Sequence, residues 1–184
     1  MRFGQVHCGN LKLAFLVQSL DSLDCLVELI SQNGTLTVEP AFLGMAIASV
    51  FHGLEEYVYP GGFLRWLRFV FPRTAPGPVG AVIINGAFFA LVLSTLSDPQ
   101  STPVFSLSVA GLLLANGALH IAGTLLTKRY SPGAITSLLC YFPAAAFALM
   151  TIPVKWHMDG FHVTLAILLG LLWQLIPLGF MLRR

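Results

Sequence analysis

Residues 104–126 read VFSLSVAGLLLANGALHIAGTLL, a run without a single Asp, Glu, Lys or Arg. About 20 apolar residues suffice to cross a bilayer as a helix. Asn116 and His120 are the bulkiest polar side chains in the run, and they stand four residues apart. Apolar runs also occupy roughly 40–57, 79–97, 133–152 and 161–182. Turn residues separate them: Tyr59-Pro60-Gly61-Gly62, Pro76-Gly77-Pro78, Asp98-Pro99, Ser131-Pro132-Gly133 and Met158-Asp159-Gly160. The pattern predicts an all-α, polytopic transmembrane bundle of about five spans.

Composition supports the same class. The chain has 184 residues, of which 56% are hydrophobic and 10% charged, with a mean hydropathy of +0.80. Soluble domains carry roughly 25% charged residues. A net charge of +2 gives no reason to expect a nucleic-acid partner. Cys8, Cys25 and Cys140 lack CxxC spacing, so no disulfide framework or zinc ribbon is implied.

The N-terminal part reads differently. After the apolar stretch from Leu13 to Val17 come Gln18, Asp21, Asp24 and Glu28 at near-helical spacing. Burying three carboxylates in lipid is costly, so residues 11–30 are expected to form an amphipathic helix in the interface rather than a sixth span. The expected division is an interfacial segment over 1–38 and a membrane bundle over 39–184. Basic residues alternate among the connections: Arg65, Arg68 and Arg73 in the first, Lys128 and Arg129 in the third, Arg183 and Arg184 at the end. The positive-inside rule makes these sides cytoplasmic, giving a multi-pass membrane protein with a cytoplasmic C-terminus.

His52-Gly-Leu-Glu55-Glu56 closes the first apolar run. Positions 0, 3 and 4 share one helix face, and carboxylates within a membrane segment mark functional sites. Asn116 and His120 form a second such pair. Counting helical rise from the expected cytoplasmic ends puts both pairs, with Asn85, Thr136, Cys140 and Gln174, in one layer roughly 5–15 Å deep. Two imidazoles and two carboxylates (His52, Glu55, Glu56, His120) could ligate one or two divalent metals such as zinc, iron or manganese. Helical bundles build dimetal sites from facing helices in this way. Without metal, a desolvated glutamate could act as general acid with its neighbour or His120 as base, and Asn116 could orient or donate to an oxyanion. The residues leave both schemes open.

The intact His52-x-x-Glu55-Glu56 and Asn116-x-x-x-His120 motifs resemble those of the HXXEE-motif integral membrane proteins, as does the Tyr130-Ser-Pro-Gly-Ala-Ile-Thr136 segment. The likeness covers roughly residues 40–180 and implies a four- or five-helix membrane bundle with a shared site. Residues 11–30 are outside that pattern. A looser likeness to glutamate-type intramembrane CAAX proteases fails where their Glu-Glu-x-x-x-Arg motif meets Pro60.

Simpler roles are expected elsewhere. Asn85, Cys140 and Gln174 read as interhelical packing or hydrogen-bonding residues, and His157 and His162 fall at the opposite end from the layer. Phe63, Leu64, Trp66, Leu67 and Phe69 interleaved with Arg65 and Arg68 read as an interfacial segment facing membrane lipid. The expected function is a membrane-embedded enzyme acting on a small amphiphilic or isoprenoid-like substrate. Its chemistry would be metal-assisted hydrolysis or oxidation, or acid–base isomerisation or cyclisation. The competing class is a non-catalytic metal or proton carrier, or a structural membrane partner. The oligomeric state stays open.

Overall fold

The computed structural model describes residues 39–58, 62–97 and 100–182. The expected interfacial segment over 1–38, the breaks at Tyr59 to Gly61 and Asp98-Pro99, and Arg183 and Arg184 lie outside these residues. Among the described residues there are six helices and no strands: α1 (Pro40–Val58), α2 (Gly62–Val70), α3 (Pro78–Ser94), α4 (Pro103–Thr127), α5 (Ala134–Lys155) and α6 (Gly160–Leu182). Proline opens α1, α3 and α4, where its missing N–H costs nothing and its fixed φ suits the first turn. Asp159 caps α6 by accepting the His162 backbone N–H at 2.9 Å. That bond, and a second from the His162 ring, hold the exposed Asp159 carboxyl below its ordinary range.

Three of these helices are long and apolar enough to cross a membrane: α4, α5 and α6 as far as Gly179. The five-span expectation is therefore met by length and composition in three segments. Helix α3 is apolar but has 17 residues, a length of about 25 Å. Helix α1 has 19 residues but spends its last turns on His52, Glu55 and Glu56. The outward faces of α1 and α6 carry exposed Ile47, Val50, Phe51, Leu168, Leu172 and Leu175, a surface suited to lipid.

The core is centred on α4, whose residues from Ser106 to Leu113 are buried without interruption. It packs most extensively on α6. Gly170 makes that approach close, since a Cβ there would lie 2.4 Å from the Ser108 carbonyl oxygen. Small residues serve this purpose between membrane helices. Phe42 and Met45 of α1 and Tyr141 and Ile152 of α5 complete the core. Lys155 pairs with Glu39, joining the end of α5 to the approach of α1.

Helix α5 contains a π-helical turn over Ser137–Tyr141. Pro143 has no N–H for an α-type bond to Leu139, so the turn widens, and the Phe142 N–H donates to the Ser137 carbonyl. Such turns reposition side chains and are frequent at functional sites. This one brings Tyr141 against His52, with ring centroids 4.2 Å apart.

Candidate metal centre

His52 and Glu56 are one helical turn apart on α1, so they share a face. The His52 Nε2 to Glu56 Oε1 distance is 3.6 Å. His120 reaches the same oxygen from α4, with Nε2 3.2 Å away. All three side chains are buried, at 4%, 6% and 2% relative exposure for His52, Glu56 and His120. One potential ligand atom from each lies within 4.8 Å of the others, so the trio could hold a metal ion.

Two geometric tests favour that use. Ligands about 2.1 Å from a tetrahedral ion sit about 3.4 Å apart, and the two nitrogen–oxygen distances of 3.6 and 3.2 Å bracket that value. In addition, His52 Nε2 is buried without a hydrogen-bond partner. Buried polar atoms without partners are uncommon and call for an explanation. A cation between His52 and Glu56 supplies one.

The opposite ring nitrogens are held by the start of α5 and the turn that precedes it. His52 Nδ1 is 3.0 Å from Thr136 Oγ1, and His120 Nδ1 is 3.0 Å from Ser131 Oγ. Hydrogen bonds of this kind orient metal-ligating histidines. Aromatic rings close the sides: Tyr141 stacks on His52, Phe63 of α2 packs on His120 at 4.5 Å, and the two imidazoles meet edge to face at 4.8 Å. Gly133 seals the remaining side. Its φ of 104° is a left-handed conformation, and a Cβ there would come within 2.8 Å of Cε1 of both histidines.

Glu55 is absent from the converging set. It is adjacent to Glu56 in sequence and therefore about 100° around the helix. Its carboxylate accepts the backbone N–H of Thr136 at 2.7 Å and of Ile135 at 3.3 Å. It also accepts the Thr136 hydroxyl at 2.5 Å and the Tyr130 hydroxyl. Glu55 thus satisfies the free N–H groups at the start of α5, where a carboxylate also complements the helix dipole. Of the four expected ligands, His52, Glu56 and His120 are the ones whose potential ligand atoms lie within 4.8 Å of one another.

Asn116 also faces elsewhere: its Nδ2 donates to Gln174 Oε1 of α6 at 3.4 Å, and its Oδ1 is buried without a partner. Asn85, read from the sequence as an interhelical packing or hydrogen-bonding residue, donates to Glu56 Oε2 of α1 at 3.1 Å and to the Tyr57 hydroxyl at 2.9 Å. Ser131 was legible only as part of a helix start. The signal for its role was a hydroxyl in the short connection that follows a histidine-bearing helix. His162 pairs with Asp159 at the other end of the bundle.

A cleft of about 390 Å³ opens beside the trio, lined by Glu56, Tyr57, Phe63, Leu64, Val82 and Asn85 among others. Glu56 belongs to both environments, with Oε1 toward the imidazoles and Oε2 toward Asn85. Arg129 lies over the Phe69 ring at 3.8 Å, fastening α2 beside the end of α4.

A family model described as "Protein of unknown function with HXXEE motif" matches residues 43–148. No curated protein and no solved structure matches the chain.

Proposed function

The chain belongs to the HXXEE family, and from the geometry of its motif residues we propose a membrane-embedded, metal-dependent enzyme acting on an amphiphilic, isoprenoid-like substrate. His52, Glu56 and His120 hold one divalent ion, of the zinc, iron or manganese class. The observation that carries the proposal is the convergence of these three buried ligand atoms, one of them without a hydrogen-bond partner. An ion held by two imidazoles and one carboxylate would supply Lewis acidity or an activated water.

The chain's own residues do the rest. Asn85 holds Glu56 from the cleft side. Phe63, Leu64, Leu67 and Val82 give the cleft apolar walls, suited to an acyl or prenyl chain, with the polar end of the substrate toward Glu56, Tyr57 and Asn85. Tyr141, Phe63 and the Ser131–Gly133 turn keep bulk water from the imidazoles. Helices α1 and α3 complete a five-span bundle, and the cytoplasmic side is the one bearing Arg65, Arg68, Arg73, Lys128 and Arg129.

A second reading rests on the 3.2 Å contact of His120 with Glu56. A carboxylate between two imidazoles can relay protons without metal, which suits isomerisation or cyclisation of an alkene. Metal content separates the two. The full chain is purified in mild detergent without chelator or polyhistidine tag, beside a His52→Ala/His120→Ala variant. About one zinc, iron or manganese per chain, lost in the variant, supports the metalloenzyme. No metal in either protein, even after reloading, overturns it in favour of acid–base chemistry.

A further inference from the structure

The two glutamates of the motif divide the work on His52. We infer that Glu55 is a positioning residue which, acting through the Thr136 hydroxyl, fixes the proton of His52 on Nδ1 and turns the bare Nε2 toward Glu56. The inference concerns the same site, but it holds whether or not a metal binds.

Thr136 has a single hydroxyl hydrogen, and its oxygen has three neighbours: Glu55 Oε2 at 2.5 Å, the Gly133 carbonyl at 3.3 Å and His52 Nδ1 at 3.0 Å. The first two are acceptors. Glu55 is met by donors throughout, from Ile135, Thr136 and Tyr130, so it serves each contact as an acceptor. The hydroxyl hydrogen is therefore directed to Glu55. Only lone pairs of Oγ1 remain for His52, so Nδ1 must be the donor.

In a neutral imidazole with Nδ1 protonated, Nε2 carries a lone pair. That matches its surroundings: Nε2 has no hydrogen-bond partner and is 3.6 Å from Glu56 Oε1. Two lone-pair atoms facing each other in a buried site repel unless a cation lies between them. The relay thus presets the one His52 tautomer able to ligate through Nε2. Because Glu55 is anchored on the backbone of α5, the tautomer is tied to correct docking of α1 against that helix.

The test is nitrogen NMR of the full chain in detergent, labelled with [¹⁵N]histidine, treated with chelator and held at a pH where imidazoles are neutral. A His52→Asn variant assigns the resonances. The inference expects His52 to show a protonated Nδ1 and an unprotonated Nε2. Thr136→Ser should keep that pattern, whereas Thr136→Val and Glu55→Ala should move the proton to Nε2. A protonated Nε2 in the parent protein overturns the inference, as does an unchanged tautomer in folded Thr136→Val. A second readout is zinc affinity by competition with a chelating dye, expected to fall about 10–100-fold in Thr136→Val and not in Thr136→Ser. If the tautomer behaves as expected and zinc does not bind at all, the relay stands and the metal proposal fails.

Discussion

Glu55 and Glu56 are consecutive on α1, yet their carboxylates serve different structures. Glu55 accepts the backbone N–H groups of Ile135 and Thr136 at the start of α5, and Glu56 faces the Nε2 atoms of His52 and His120. The step of about 100° between neighbouring helical residues sends one to docking and the other to the candidate metal centre.

Their substitutions should separate accordingly. Glu55→Ala leaves the N–H groups opening α5 without their acceptor and should destabilise the protein by about 1–3 kcal/mol. Glu56→Gln should keep the fold, since its amide oxygen can still accept from Asn85, while abolishing stoichiometric metal. Thermal unfolding in detergent and metal content, measured on both variants, check this. A strongly destabilised Glu56→Gln beside an unaffected Glu55→Ala would reverse the assignment.

Gly133→Ala should damage the site without replacing any ligand. The substitution combines backbone strain at φ 104° with contacts of 2.8 Å to both imidazoles. A cost of about 1–3 kcal/mol is expected from the backbone alone, together with loss of metal. Retained metal at parental stability would show that the turn is not packed on the histidines as described.

Asn85→Ala removes the donor to Glu56 Oε2 while leaving all three candidate ligands in place. Metal affinity should fall about 10–100-fold. Chelator competition measures it, and unchanged affinity would make Asn85 a packing residue after all.

Acidification should empty the site. Ligation needs neutral imidazoles and an ionised carboxylate, so binding releases protons and weakens as pH falls. Metal retained per chain after dialysis at stepped pH should decrease steadily toward acid. Constant occupancy through the range in which imidazoles protonate would point to ligands other than histidine.

Much of this arrangement was legible in the residues. The uncharged stretch at 104–126 gives α4, and prolines mark several helix starts. His52 and Glu56 were paired by their spacing of four, and His120 by its place near the end of another apolar run. Three things were not legible. The separation of Glu55 from Glu56 depends on where the start of α5 docks, a tertiary fact. The π-helical turn that carries Tyr141 to His52 arises from Pro143, whose effect on local winding has no periodic signature. Asn85 was legible as an interhelical residue of the polar layer, but its partner was not, because Glu56 is 29 positions away on α1.

The most direct test of the central claim is X-ray absorption spectroscopy of the zinc-loaded full chain in detergent. A first shell of nitrogen and oxygen only is expected, with the outer scattering of two imidazoles that falls to one in His120→Ala. A sulfur shell, a spectrum without histidine scattering, or one unchanged by His120→Ala would contradict it.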